Sequence, residues 1–166
     1  MVTVNRLSDS PQAFDLAQRT QFPSHSQDEA TILFATDLSS SSRVGVNWAT
    51  LLARLCGAKV LLLHVETPPA SSDHLHHDYS QVRSRSQSAL QSLLPTDPAV
   101  RSNYHVVLGD PAQQIVDVAE QKNVSLIVLG THQRKGLQRI LKGSVTESVL
   151  RYASCPVFVF PLGSAG

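Results

Sequence analysis

Three groups of residues in this chain have types and spacings that can do chemistry. The first runs from Gly130-Thr131-His132-Gln133-Arg134-Lys135 to Gly143-Ser144-Val145-Thr146-Glu147. The apolar run Leu126 to Leu129 ends in Gly130, and Gly143-Ser144 opens a segment that reads as a helix. A strand, a glycine-bounded loop and a helix N-terminus offer backbone N–H groups and a positive dipole end, which is the chemistry of phosphate binding. Ser144 and Glu147 also fit a capping box, so Ser144 caps its own helix, holds a phosphate, or does each in turn. Arg134, Lys135, Arg139 and Lys142 make the region basic, either as phosphate partners or as solvated surface cations; Arg134 and Lys135 are the better placed. It is not a Walker-type loop, because Lys142 precedes Gly143 instead of following it.

The second group is Thr36-Asp37, just past the apolar run Ile32 to Ala35. A carboxylate there can accept hydrogen bonds from a ribose or a base, or cap the helix that follows. The third is Asp73-His74-Leu75-His76-His77-Asp78, whose imidazoles and carboxylates can bind zinc or nickel, although adjacent histidines in a loop rarely close a site. His132 can contact a nucleotide or act as a base, but no nucleophile elbow or Ser-His-Asp set accompanies it. His64, at a strand end, reads as a partly buried structural residue.

The elements that must position these groups follow from periodicity. Short apolar runs at 32–35, 60–65, 104–108, 126–129 and 156–160 read as strands buried on both faces. Helical segments separate them. Val44, Trp48, Leu51, Leu52 and Leu55 recur at helical spacing, which predicts the core-facing stripe of the first helix, with Gly57 closing it. Val82, Leu90, Leu93 and Leu94 mark a second helix from Tyr79 to Leu94. Asp110-Pro111 reads as N-cap and first residue of a third. Strict alternation of strand and helix predicts an α/β fold: a doubly wound, five-stranded parallel sheet with helices on both faces. Ligands of such sheets sit beyond the carboxyl ends of the strands where the order reverses. Asp37 and Gly130 both follow such ends, so they can share one crevice.

The gross numbers narrow the class. A chain of 166 residues fits one domain with a full core. A net charge of +1 argues against a nucleic-acid or membrane partner held by a strong field. No apolar run approaches the ~18 residues of a membrane span. Met1 to Ser10 have no secretory apolar core, so a cytoplasmic protein is expected. Cys56 and Cys155 read as buried free thiols. Residues 1–29 are polar and read as an extension with a possible short helix; residues 30–163 form the domain.

Ile32 to Asp37, His64-Val65, Gly109-Asp110-Pro111, the Gly130 to Val145 loop and Cys155-Pro156-Val157 together resemble the universal stress protein family. The resemblance covers residues 31 to 161 and implies the strand order 3-2-1-4-5, homodimers through the last strand, Pro156 to Phe160, and a stress-response role. It implies an adenine-nucleotide (ATP) binding module or switch, ATP being taken with or without Mg²⁺, and at most a slow ATPase. In ATP-binding members Asp37 would match the acid at the adenosine, and Ala35, Thr36 and Val65 would match the surroundings of the base. Leu129 and Gly130 would match the floor of the site, and Gly143, Ser144 and Val145 the phosphate-contacting turn. The family pattern Gly-x2-Gly-x9-Gly-Ser/Thr keeps its spacing here, but Gln133 stands at the middle glycine. A side chain there fills space a phosphate would use, yet its amide offers two donors, and a left-handed glutamine costs only about 1 kcal/mol. The alternative is a stress protein without nucleotide, acting through dimer and partner surfaces.

Overall fold

Thr31 to Phe34 carry no polar alternation because alternate residues feed two different cores. Ile32 and Phe34 pack into one cluster with Val46, Ala49 and Ala53; Leu33 packs into the other with Ile115, Val118 and Val149. The structure is a computed structural model and describes residues 29–68, 79–132 and 145–162. Within them the elements run β1 (Thr31–Ala35), α1 (Ser42–Cys56), β2 (Lys59–Glu66), α2 (Tyr79–Leu93), β3 (Ser102–Leu108), α3 (Pro111–Gln121), β4 (Leu126–His132), α4 (Val145–Tyr152) and β5 (Val157–Leu162). All pairings are parallel and the sheet order is β3-β2-β1-β4-β5. Side chains of α1 and α2 fill one face, and those of α3 and α4 the other, as right-handed crossovers require. Ile32, Leu33, Leu62, Leu63, Ile127 and Val128 are at most 1% exposed, and burying each is worth about 1.5–3 kcal/mol.

Local signals set several boundaries. Gly57 ends α1 in the left-handed conformation, φ 63° and ψ 34°. Asp110 caps α3: its Oδ1 accepts from the Gln113 backbone N–H at 2.9 Å, with Pro111 in the first turn.

Three expectations need correction. The first helix buries a different face from the one its large residues predict. Val44, Trp48, Leu51 and Leu55 are exposed, at 47, 41, 48 and 73%, and only Leu52 of that stripe is half-buried. The buried face is Gly45, Val46, Ala49 and Ala53. Small residues let the helix approach the sheet, and the Phe34 ring fills the space that Gly45 leaves. The Trp48 ring instead lies across β5, 5.8 Å from that of Phe158.

Second, β4 does not stop at Leu129. Gly130, Thr131 and His132 pair with Phe160, Pro161 and Leu162, because a partner strand overrides the breaker character of glycine. Third, both cysteines are free but only half-buried; burial raises the Cys155 thiol above its ordinary value. Among the described residues no helix is long and apolar enough to cross a membrane.

Candidate functional site

The strand order reverses between β1 and β4. The chain leaves β1 toward β2 and β3 on one side and returns through α3 to β4 on the other. Ala35 is the register partner of Leu129, so Thr36 and Gly130 follow side by side at the carboxyl ends. Ala35, Val65 and Leu129 pack with the same cluster, on the sheet face covered by α3 and α4. They form an apolar wall beneath the strand ends. Val145 opens α4 at 39% exposure, one turn from fully buried Val149 in that cluster.

The turn after β1 is held atom by atom. The Thr36 backbone N–H donates to the Leu63 carbonyl at 2.9 Å. The Thr36 carbonyl accepts from His64 Nδ1 at 2.8 Å, which fixes the proton of that imidazole on Nδ1. Thr36 Oγ1 accepts from the Leu38 backbone N–H at 3.0 Å and lies 2.6 Å from Ser42 Oγ at the start of α1. Asp37 is exposed, and its Oδ1 accepts from the Ser39 backbone N–H at 3.0 Å. The N-cap of α1 is Ser41, whose side chain makes no cap hydrogen bond, so Asp37 is not the cap. Leu38 sits at φ 60°, a left-handed conformation that costs a leucine roughly 1–2 kcal/mol. Such a conformation persists only where surrounding bonds over-determine it, and here the Thr36 Oγ1 bond to the Leu38 N–H helps to hold it.

Of the residues singled out from the sequence, Ala35, Thr36, Asp37, Val65, Leu129 and Gly130 fall on these strand ends, and Val145 opens α4. Gln133, Arg134, Gly143 and Ser144 lie outside the described residues, as do the His74 to His77 loop and residues 1–28. The arrangement offers an apolar surface for a flat ring and a carboxylate acceptor for hydroxyls.

The Universal stress protein family model matches residues 30–161. The chain belongs to the universal stress protein family. Universal stress protein A homolog 1 of Coxiella burnetii is 31% identical to it over 133 residues, 76% of this chain and 92% of that one. Universal stress protein MJ0531 of Methanocaldococcus jannaschii is 40% identical over 80 residues, 47% of each chain. Among solved structures, a universal stress protein in complex with cAMP is 25% identical, with a TM-score of 0.56 over 81% of this chain and 98% of that one.

In this universal stress protein two residues, His64 on β2 and Leu38 in the turn after β1, have roles that the sequence does not show in full. His64 was read as structural, but not as the donor that pins Thr36; its place at a strand end is a signal that could have suggested it. Leu38 left no signal, since leucine rarely adopts positive φ.

Proposed function

We propose that this universal stress protein binds an adenine nucleotide, ATP with or without Mg²⁺, at the carboxyl ends of β1 and β4. The observation that carries the reading is the pairing of Ala35 with Leu129, which sets Thr36-Asp37 beside Gly130 at the reversal of strand order. Ala35, Thr36 and Val65 would surround the base, Asp37 would accept from the ribose, and Leu129 with Gly130 would floor the site. Gln133, Arg134, Gly143, Ser144 and Val145 would serve the phosphates. The donor set suits adenosine: an apolar wall for the ring and a carboxylate for hydroxyls. A 25% identical universal stress protein has been solved with cAMP, which supports an adenine ligand in this family. The protein would work as a cytoplasmic binding switch, its domain spanning residues 30–163 after a 29-residue extension.

A homodimer through β5 belongs to the same proposal. β5 is an edge strand of apolar sequence, VFVFPL, and an apolar edge invites pairing with another strand. Exposed Trp48 beside Phe158, with Leu150 and Tyr152 on α4, favours a second reading in which these surfaces bind partners without nucleotide.

Calorimetric titration of the full chain with ATP and Mg²⁺ tests the first reading. Saturable heat is expected, with Asp37→Ala weakening affinity about tenfold, the worth of one charge-assisted hydrogen bond. No heat at millimolar ATP, or an unchanged affinity in Asp37→Ala, overturns it. A Gln133→Gly variant that gains binding where the natural chain has none would assign the block to that side chain and favour the second reading. Light scattering after gel filtration reads the dimer.

A further inference from the structure

The opposite end of the sheet carries a cavity whose chemistry differs from that of the crevice. It holds about 550 Å³ and is lined where the strands begin: Thr31 opens β1, Lys59 opens β2 and Ser102 opens β3. That volume lies within the range of small-molecule sites, about 300–1,000 Å³. Its charged lining is Lys59, Arg101, Lys122 and Glu29, a net charge of +2 in a protein whose formal total is +1.

The one carboxylate is already committed. Arg101 Nε donates to Glu29 Oε1 at 3.1 Å, and Nη2 forms an ion pair with Oε2 at 2.7 Å at the rim. Among the described residues neither Lys59 nor Lys122 forms an ion pair. His105 shares the cavity, and its pKa is lowered, first by burial and then by the charges of Lys122 and Arg83. Asn103 adds an amide and Ser102 and Thr31 add hydroxyls, with Val60 and Leu61 as the apolar part of the lining.

We propose that this cavity, at the amino ends of β1, β2 and β3, is a second binding site that takes a small phosphate-bearing dianion between Lys59, Lys122 and Arg101. A net +2 site is neutralised by a dianion and only half neutralised by a monocarboxylate. Phosphate groups carry about −1.5 to −2 charges at neutral pH. The site lies at the other end of the strands from Asp37 and Gly130, so it does not depend on the nucleotide crevice.

The test uses the full chain, with inorganic phosphate and pyrophosphate as separate probes, followed by calorimetry and by the histidine ring signals in NMR. His105→Gln assigns the His105 signal. Expected are saturable binding of one anion per chain, a shift of the His105 signal on binding, and weakening with added NaCl. Lys59→Gln with Lys122→Gln should weaken binding at least about tenfold, since each removes a charged contact. Both lysines are exposed, so the double variant should melt with the parent; if it does not fold, Lys122→Gln alone carries the comparison. Asp37→Ala should leave binding unchanged. Absence of saturable binding with both probes, full affinity in the lysine variants, or loss in Asp37→Ala each overturns the proposal. The last result would place the anion in the crevice instead, so failure here and failure of the ATP reading are separable.

Discussion

Replacing Gly45 with alanine should destabilise the fold, although alanine is the better helix former. A Cβ built on Gly45 lies 2.2 Å from Cζ and 2.4 Å from Cε2 of Phe34, and 2.9 Å from Cζ of Phe160. Ordinary contact begins near 3.4 Å, so the Phe34 ring must retreat by about 1.2 Å. It has little room to do so: Phe34 and Phe160 are each 2% exposed, with ring centroids 6.4 Å apart. Overpacking a close-packed core costs about 1–3 kcal/mol, and a displacement above 1 Å places this case near the top of that range. Removing a glycine from a helix interior returns about 0.8–1 kcal/mol. The net loss is about 2 kcal/mol, or roughly 4–8 °C in Tm for a chain of this size. Thermal and urea unfolding of Gly45→Ala, followed by circular dichroism, measure it. Phe34→Leu, smaller at the point of collision, should cost less in the Gly45→Ala background than alone. An unchanged or higher Tm, or strictly additive effects in the pair, would refute the account of how α1 sits on the sheet. Phe34 directly precedes Ala35-Thr36-Asp37, so the same packing holds the first turn of the candidate crevice in place.

Asp110→Ala removes the side-chain acceptor that caps the first turn of α3, and should lower stability by about 1 kcal/mol in urea titration; Asp110→Ser should recover most of it. His105 gives a pH effect of defined sign. Its pKa in the folded protein is lowered by burial and by Lys122 and Arg83, with Lys59, Arg101 and Glu29 lining the same cavity. The unfolded chain therefore binds the proton more readily, and the stability that neutral His105 contributes is present above its unfolded value of about 6.5 and is lost as pH falls. Melting curves between pH 7.5 and about 5 should show a shallower loss for His105→Gln than for the parent; an equal or steeper loss would contradict the assignment.

Much of the frame was legible in the sequence because it rests on local chemistry. Ile32 to Ala35 and Val60 to Val65 announce strands covered on both faces, since no polar alternation interrupts them. Gly57 and Asp110-Pro111 mark helix ends through backbone freedom and a short acceptor, which need no partner elsewhere in the chain. The face of α1 was not legible. Helical spacing picks out both the stripe of Val44, Trp48, Leu51 and Leu55 and that of Gly45, Val46, Ala49 and Ala53, and size suggested the wrong one.

The sequence by itself determined the family and the alternation of elements, because periodicity, caps and breakers act over a few neighbours. Tertiary structure decided everything that depends on distance between such segments. It set the ring of Phe34 against Gly45, carried β4 through Gly130 to His132 by pairing it with β5, and tied Thr36 to His64 and Ser42. It also gathered Glu29, Lys59, Arg101, His105 and Lys122 around one cavity. Such groups are scattered along the chain, and only closure of the sheet brings their charges within reach of one another.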